Sequence, residues 1–180
     1  MTLPIKEETC FQKISKFNAL IGNPVGSRNG LRQQFDMIKE EFEELEKALT
    51  AYENLANEEG LVGADEYAAV VTELRDGMAD VVVTTGGLAH RLGVDIDADL
   101  EEVYQSNMSK FIVTDNMLEV QDAAVEVGTR LEITCSASET APGIWAITSA
   151  SNQTGSDGKY YPEGKLLKPS TYREPKFSPF

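Results

Sequence analysis

The sequence predicts a mainly α-helical fold with a small β-hairpin near the C-terminus. Three observations carry this. Phe35, Ile38, Phe42, Leu45, Leu49 and Tyr52 recur three or four residues apart, which is one apolar stripe on a long helix. Tyr67, Val70, Val71, Leu74, Met78, Val81, Val82 and Leu88 fill a wider arc, as in a helix packed on several sides within a bundle. After Gly128 the texture changes to β-branched residues around a turn-like stretch. A chain of 180 residues suits one domain.

Taken in order, Ile14 to Gly30 opens with a short helical stretch. Gly22, Pro24, Gly26 and Gly30 then mark a loop. The first long helix follows from Leu31 and is broken by Gly60 and Gly63. Asp65 is placed to cap a second long helix, with Glu66 in its first turn, and Gly93 is placed to end it in the left-handed region. Gly77, Gly86 and Gly87 weaken that helix locally and permit close helix approach. A third helix is expected from Asp97 or Asp99 to Lys110, and a fourth from Asp115 to Val127. "TRLEITCSA" and "GIWAITSAS", flanking "SETAPG", read as a hairpin. Residues 1–180 are thus read as one domain, with an inserted helix and hairpin at 114–157 and an extended basic tail at 158–180. Between Lys159 and Phe180 five basic residues face two acidic ones, a net of +3.

Thirty acidic residues outnumber sixteen basic ones, giving a net charge of −14 and a pI near 4.4. Such a chain repels a phosphate backbone, so nucleic acid is not an expected partner. Neither is a membrane: no apolar run approaches the roughly 20 residues that span one, and no polybasic anchor is present. The first fifteen residues carry Lys6, Glu7, Glu8 and Lys13 without an apolar core, unlike a signal peptide, so a cytoplasmic location is expected. Cys10 and Cys135 are far apart and read as reduced thiols. His90 is the only histidine, which excludes a multi-histidine metal site.

The most informative residues are acidic. Glu41 and Glu44 lie about 60° apart on the first long helix, at about 100° per residue, with Glu40 just beyond. Glu41 borders the apolar stripe. On the second helix Glu73, Asp76 and Asp80 share an arc of about 60°. If the helices pack antiparallel, the two rows face one another, and divalent cations relieve the repulsion that results. An all-oxygen ligand set selects Mg²⁺ or Mn²⁺ over Zn²⁺. The alternative is a pair of solvated helix faces.

"EEFEE" at Glu40–Glu44 followed by "ELRD" at Glu73–Asp76 resembles the E-E-x-x-E and E-x-x-D signature of the MazG-like all-α NTP pyrophosphohydrolases. Twenty-eight residues separate its halves, at the long end for that family. "KFNALIGNPVG" at Lys16–Gly26, "SNMSK" at Ser106–Lys110 and "GKLLKPSTY" at Gly164–Tyr172 are similar to segments of its phosphoribosyl-ATP-pyrophosphohydrolase-like subgroup. The segment from about Thr114 to Asp157 is longer than in compact members.

The resemblance implies a MazG-like bundle completed by oligomerisation, as a homodimer or homotetramer with composite sites. It implies cleavage of a nucleoside triphosphate to the monophosphate and pyrophosphate with two or three Mg²⁺ (or Mn²⁺) ions. Glu41, Glu44, Glu73 and Asp76 are the implied metal ligands, and Glu40 and Glu41 the candidate catalytic carboxylates. Phe17, Asn18, Asn107, Lys110, Lys165 and Lys168 are the candidate substrate contacts. For the substrate, (d)GTP converted to (d)GMP is favoured, as in the phage MazZ type, where the chain would work in the host cytoplasm. The alternatives are a house-cleaning enzyme for dUTP or modified nucleotides, or a non-catalytic acidic helical interaction protein.

Overall fold

The computed structural model describes residues 7–57 and 63–178. Within them the chain is mainly helical, with five helices and two small sheets. It gathers into two compact units, the first running to Asp97 and the second beginning at Ala98.

The first unit holds α1 (Cys10–Leu20), α2 (Arg28–Asn57) and α3 (Ala64–Leu92). Thr9 starts α1 with a reciprocal cap: its hydroxyl accepts from Gln12 N at 3.1 Å, and its own N–H donates to Gln12 Oε1 at 3.1 Å. The loop to α2 turns through Gly22 (φ 80°) and Gly26 (φ 71°). α2 begins earlier than its apolar stripe predicts and takes in Gly30. Glycine suits that position: a Cβ on Gly30 would fall 2.0 Å from Arg91 Nη1, so the guanidinium occupies the space a side chain would need.

α2 and α3 are antiparallel. Gln34 Nε2 donates to Thr84 O at 3.0 Å, a Cβ on Gly77 would meet Leu45 Cα at 3.2 Å, and the Tyr52 and Tyr67 ring centres lie 6.0 Å apart. Those pairs run in opposite directions along the two helices. Gly86 admits α1 in the same way, since a Cβ there would stand 2.9 Å from Ile14 Cγ2. The glycines of α3 are therefore sites of close helix approach. Gly63, rather than Asp65, takes the N-cap position of α3, without a side-chain cap, and Asp65 and Glu66 lie in the first turn, where they favour the helix dipole. Gly93 (φ 75°) closes α3 in the left-handed region as its position predicts. The expected break at Gly60 lies outside the described residues.

α4 (Ile96–Met108) leads into the second unit, which adds β1 (Phe111–Val113), α5 (Met117–Leu131), β2 (Cys135–Ala141) and β3 (Ile144–Ser149). β4 (Gln153–Thr154) and β5 (Tyr160–Tyr161) form a separate two-stranded ribbon. The three-stranded sheet is antiparallel in the order β1-β3-β2. Val120, Val127 and Leu131 on α5 meet Ile112, Ile133, Ile147 and Leu167 in its core.

Two expectations are corrected here. Thr129, Arg130 and Leu131 belong to the helix, because Leu131 continues the buried face of Val120 and Val127 and Arg130 pairs with Glu126 one turn back. The hairpin strand accordingly starts at Cys135 and runs through "SETA", leaving a tight turn at Pro142 and Gly143 (φ 69°). Among its described residues the tail has no helix. It is pinned to the sheet at Leu167, which is 2% exposed and donates its N–H to Ile147 O at 2.8 Å.

Candidate functional site

The crossing of α2 and α3 brings the two acidic rows together. Glu41 is half-buried, and its carboxyl is held above the usual glutamate range. Burial contributes most, followed by the charges of Asp80, Glu44, Glu40 and Asp76. Two of those neighbours belong to α3 and two to α2, so Glu41 senses both helices at once. Asp80 is half-buried, while Glu40, Glu44 and Asp76 are exposed. Glu73 is also exposed and is not among the groups acting on Glu41. Asp80, to which the signature assigns no metal, exerts the largest charge effect on it.

The side chains are spread apart. Among the described residues no three Asp, Glu, His or Cys groups stand close enough to enclose a metal ion. Like charges move apart when nothing neutralises them, and carboxylates on opposed helix faces have the rotamer freedom to do so. In charge and donor type the set fits a hard divalent cation: only carboxylate oxygens are present, and one member is already destabilised as an anion. Glu40, Glu41, Glu44, Glu73, Asp76 and Asp80 are the residues that would hold such ions.

At the other end of α3 the sequence-predicted contacts divide. Phe17 is 53% exposed and offers a free ring face. Asn18 is buried, and its amide is already engaged: Nδ2 donates to Ile14 O at 3.0 Å, and Oδ1 accepts from Asn23 Nδ2 at 2.7 Å. Asn18 therefore fixes the turn after α1.

His90 is buried beside it. Nε2 lies 2.9 Å from Asn23 O, and a carbonyl only accepts, so Nε2 carries the proton and Nδ1 accepts from Ser15 Oγ at 2.8 Å. Arg91 donates to Gln34 Oε1 at 3.1 Å and to Asn23 Oδ1 at 2.6 Å. This polar network joins α1, α2 and α3 and is invisible in the sequence. Its members look like ordinary helix and loop residues until Asn23 is seen to serve three of them.

The remaining candidates lie in the second unit. Lys110 Nζ donates to Asn107 Oδ1 at 2.7 Å, so these two side chains form one polar head at the end of α4. "SNMSK" and "GKLLKPSTY" pack together through the chain that follows. Ser106 Oγ donates to Arg173 O at 2.9 Å, Thr171 Oγ1 to Ser109 O at 3.2 Å and Arg173 N to Ser109 Oγ at 3.0 Å. Arg173 also pairs with Glu102. Lys168 lies over the Tyr172 ring at 4.1 Å and Lys165 over the Tyr161 ring at 5.5 Å.

Among the described residues no helix is long and apolar enough to cross a membrane. Compared with known proteins, the chain matches no family model and no curated protein.

Proposed function

We propose that the chain is a divalent-metal-dependent nucleotide pyrophosphohydrolase that converts a (d)NTP, by preference (d)GTP, to the monophosphate and pyrophosphate. The observation that carries this is Glu41: a half-buried carboxylate destabilised by four others, drawn from both helices that bear the MazG-like signature. The contact between "SNMSK" and the segment following "GKLLKPSTY" supports the same reading, because two distant motifs of one resemblance meet within one unit.

Mg²⁺ or Mn²⁺, when bound, would supply the positive charge that lets a triphosphate approach acidic helices and that offsets charge building on its oxygens. The chain's part is to hold those ions through Glu41, Glu44, Asp76 and Glu73, with Asp80 beside Glu41. Glu40 or Glu41 accepts the proton of the water that attacks the α-phosphorus. Phe17 has an open face for stacking a base. The roles of Asn18, Asn107, Lys110, Lys165 and Lys168 as substrate contacts rest on the resemblance alone.

Oligomerisation into a MazG-like bundle is part of the proposal. Phe42 (60% exposed), Met78 and Val82 lie open on α2 and α3, apolar surface that a second copy would cover. That same surface favours a second reading, an acidic helical protein that binds a partner without catalysis.

The deciding experiment incubates the protein with each of the eight common nucleotides and Mg²⁺ or Mn²⁺, resolving monophosphate from pyrophosphate. Guanine nucleotides should turn over fastest, and chelator should stop the reaction. Absence of pyrophosphate with every nucleotide and both metals would leave the interaction protein as the standing reading.

A further inference from the structure

The second unit contains a cavity of about 260 Å³ lined in part by Lys165 and Lys168, to which the resemblance alone gives a substrate role. Arg130 from the last turn of α5, Lys159 from the turn before β5, and Lys165 and Lys168 from the following segment stand around it, with Asp157 as the one acidic group. Its floor is apolar: Leu131, Tyr161 and Leu167 are all buried.

The charges at this cavity are not equivalent. Lys159 is matched by Asp157 at 3.4 Å. Arg130 is matched by Glu126 at 2.8 Å, and its other arm donates to Lys168 O at 2.5 Å. Lys165 and Lys168 have no carboxylate within ion-pair distance among the described residues and rest instead over tyrosine rings. Two lysines without a carboxylate partner among the described residues therefore line one small cavity in a chain of net charge −14.

The backbone that carries these lysines is fixed. Ser149 N donates to Lys165 O at 3.0 Å, Leu167 between them is bonded to Ile147, and Arg130 holds the Lys168 carbonyl. The cavity walls are thus set before any ligand arrives, which lowers the entropic cost of binding.

From this cavity we infer that the second unit has an anion site of its own, which takes a small phosphate-bearing molecule between Lys165 and Lys168, with Arg130 and Lys159 at its edge. A charge near −2 matches two ammonium groups that rest over tyrosine rings and not on carboxylates, and Lys is a common partner of phosphate oxygens. The volume lies just under the roughly 300 Å³ at which drug-sized pockets begin, so the ligand is small. The insertion supplies Arg130 and Asp157 to this cavity and the tail supplies Lys159, Lys165 and Lys168, which gives the insertion a role. The site stands whether or not the chain hydrolyses nucleotides.

The test titrates the full chain, in chelator, with pyrophosphate, inorganic phosphate and guanosine monophosphate, at ionic strength held constant with chloride. Chelator removes the metal bridges to the acidic helices, so binding here is read separately from turnover, and either result can fail alone. Saturable one-to-one binding of at least one of the three is expected. Tighter binding of pyrophosphate identifies an inorganic anion site, and tighter binding of the monophosphate identifies an ester whose organic part uses the apolar floor. Lys165→Ala and Lys168→Ala should each weaken binding about 10-fold. Lys165→Arg and Lys168→Arg should retain most of it, and Lys39→Ala, on α2, should bind as the unaltered chain does. No saturable binding of any of the three, alanine variants with unchanged affinity, or arginine variants as weak as the alanine ones would overturn the site.

Discussion

The two units carry their apolar residues in opposite ways. In the second unit Val120, Val127 and Ile147 are fully buried, and Leu167 nearly so, although α5 and the sheet are short. In the first unit α2 and α3 are the longest elements of the described chain, yet Phe35, Phe42, Leu49, Met78 and Val82 remain more than a third exposed. A core that closes on itself is a device for stability. A helix pair that leaves its apolar stripe open and sets carboxylates of both helices around a half-buried Glu41 is poorly optimised for standing alone. On the reading proposed above, metal ions and a partner copy would supply the compensation that the charge and the apolar surface lack within the unit.

The largest expected effect tests the closed core. Ile147→Ala should cost about 2–5 kcal/mol by removing a side chain with no solvent exposure. Phe42→Ala, a larger truncation at a site 60% exposed, should change the stability of a dilute monomer by about 0.5 kcal/mol or less. Chemical denaturation measures both. Sedimentation supplies the other half of the contrast, because Phe42→Ala should weaken self-association while Ile147→Ala should not. A monomer with normal activity across micromolar concentrations would remove the partner copy from the comparison.

The second test concerns the open unit. Glu41→Gln should lower pyrophosphate release at least about 100-fold, the upper range for altering even a supporting group of a metal site. In chelator the same variant should melt at or above the temperature of the unaltered chain, because a repelled, half-buried anion has been replaced by a neutral amide. Glu73→Gln should match it in activity if the signature assigns the ligands correctly. Since Glu73 is exposed and does not act on Glu41, its melting should not rise. Unchanged turnover in Glu41→Gln would withdraw the metal-site assignment.

The long helices were legible because their burial is periodic and local. Phe35 to Tyr52 and Tyr67 to Leu88 announce themselves, and Gly93 ends α3 where a left-handed residue was needed. The acidic rows were legible for the same reason: spacing alone places them on faces. What stayed hidden depends on residues distant in sequence. Gly30 looks like a loop glycine, yet it lies within α2, where Arg91 fills the space that a side chain would need. β1 is three residues long and exists only as a neighbour of β3. His90, Asn18 and Gln34 show no apolar pattern, so nothing in their surroundings reveals that they are buried and linked through Asn23 and Arg91. The prominence of Asp80 beside Glu41 likewise depends on which turns of α2 and α3 meet, a matter settled by Gly77 against Leu45.

The smallest effect is also the most specific to the acidic crossing. Burial and the surrounding carboxylates raise the pKa of Glu41 in the folded chain, whereas in the unfolded chain it titrates as an ordinary glutamate. The folded state therefore holds this proton more tightly. The favourable contribution of Glu41 is present in full below the unfolded pKa and is lost as pH rises through the raised folded value. The melting difference between Glu41→Gln and the unaltered chain in chelator should be largest near neutral pH, where the anion is fully formed. It should shrink toward zero as pH falls into the glutamate range, where both chains carry a neutral side chain at position 41. Saturating Mg²⁺ should reverse the order at neutral pH, because only the unaltered chain keeps every carboxylate ligand and gains stability from a bound ion by mass action. A difference that stays constant from neutral to acidic pH would mean that the stabilisation comes from packing of the amide and not from relief of charge. The first unit's open crossing would then be no more strained than the second unit's closed core.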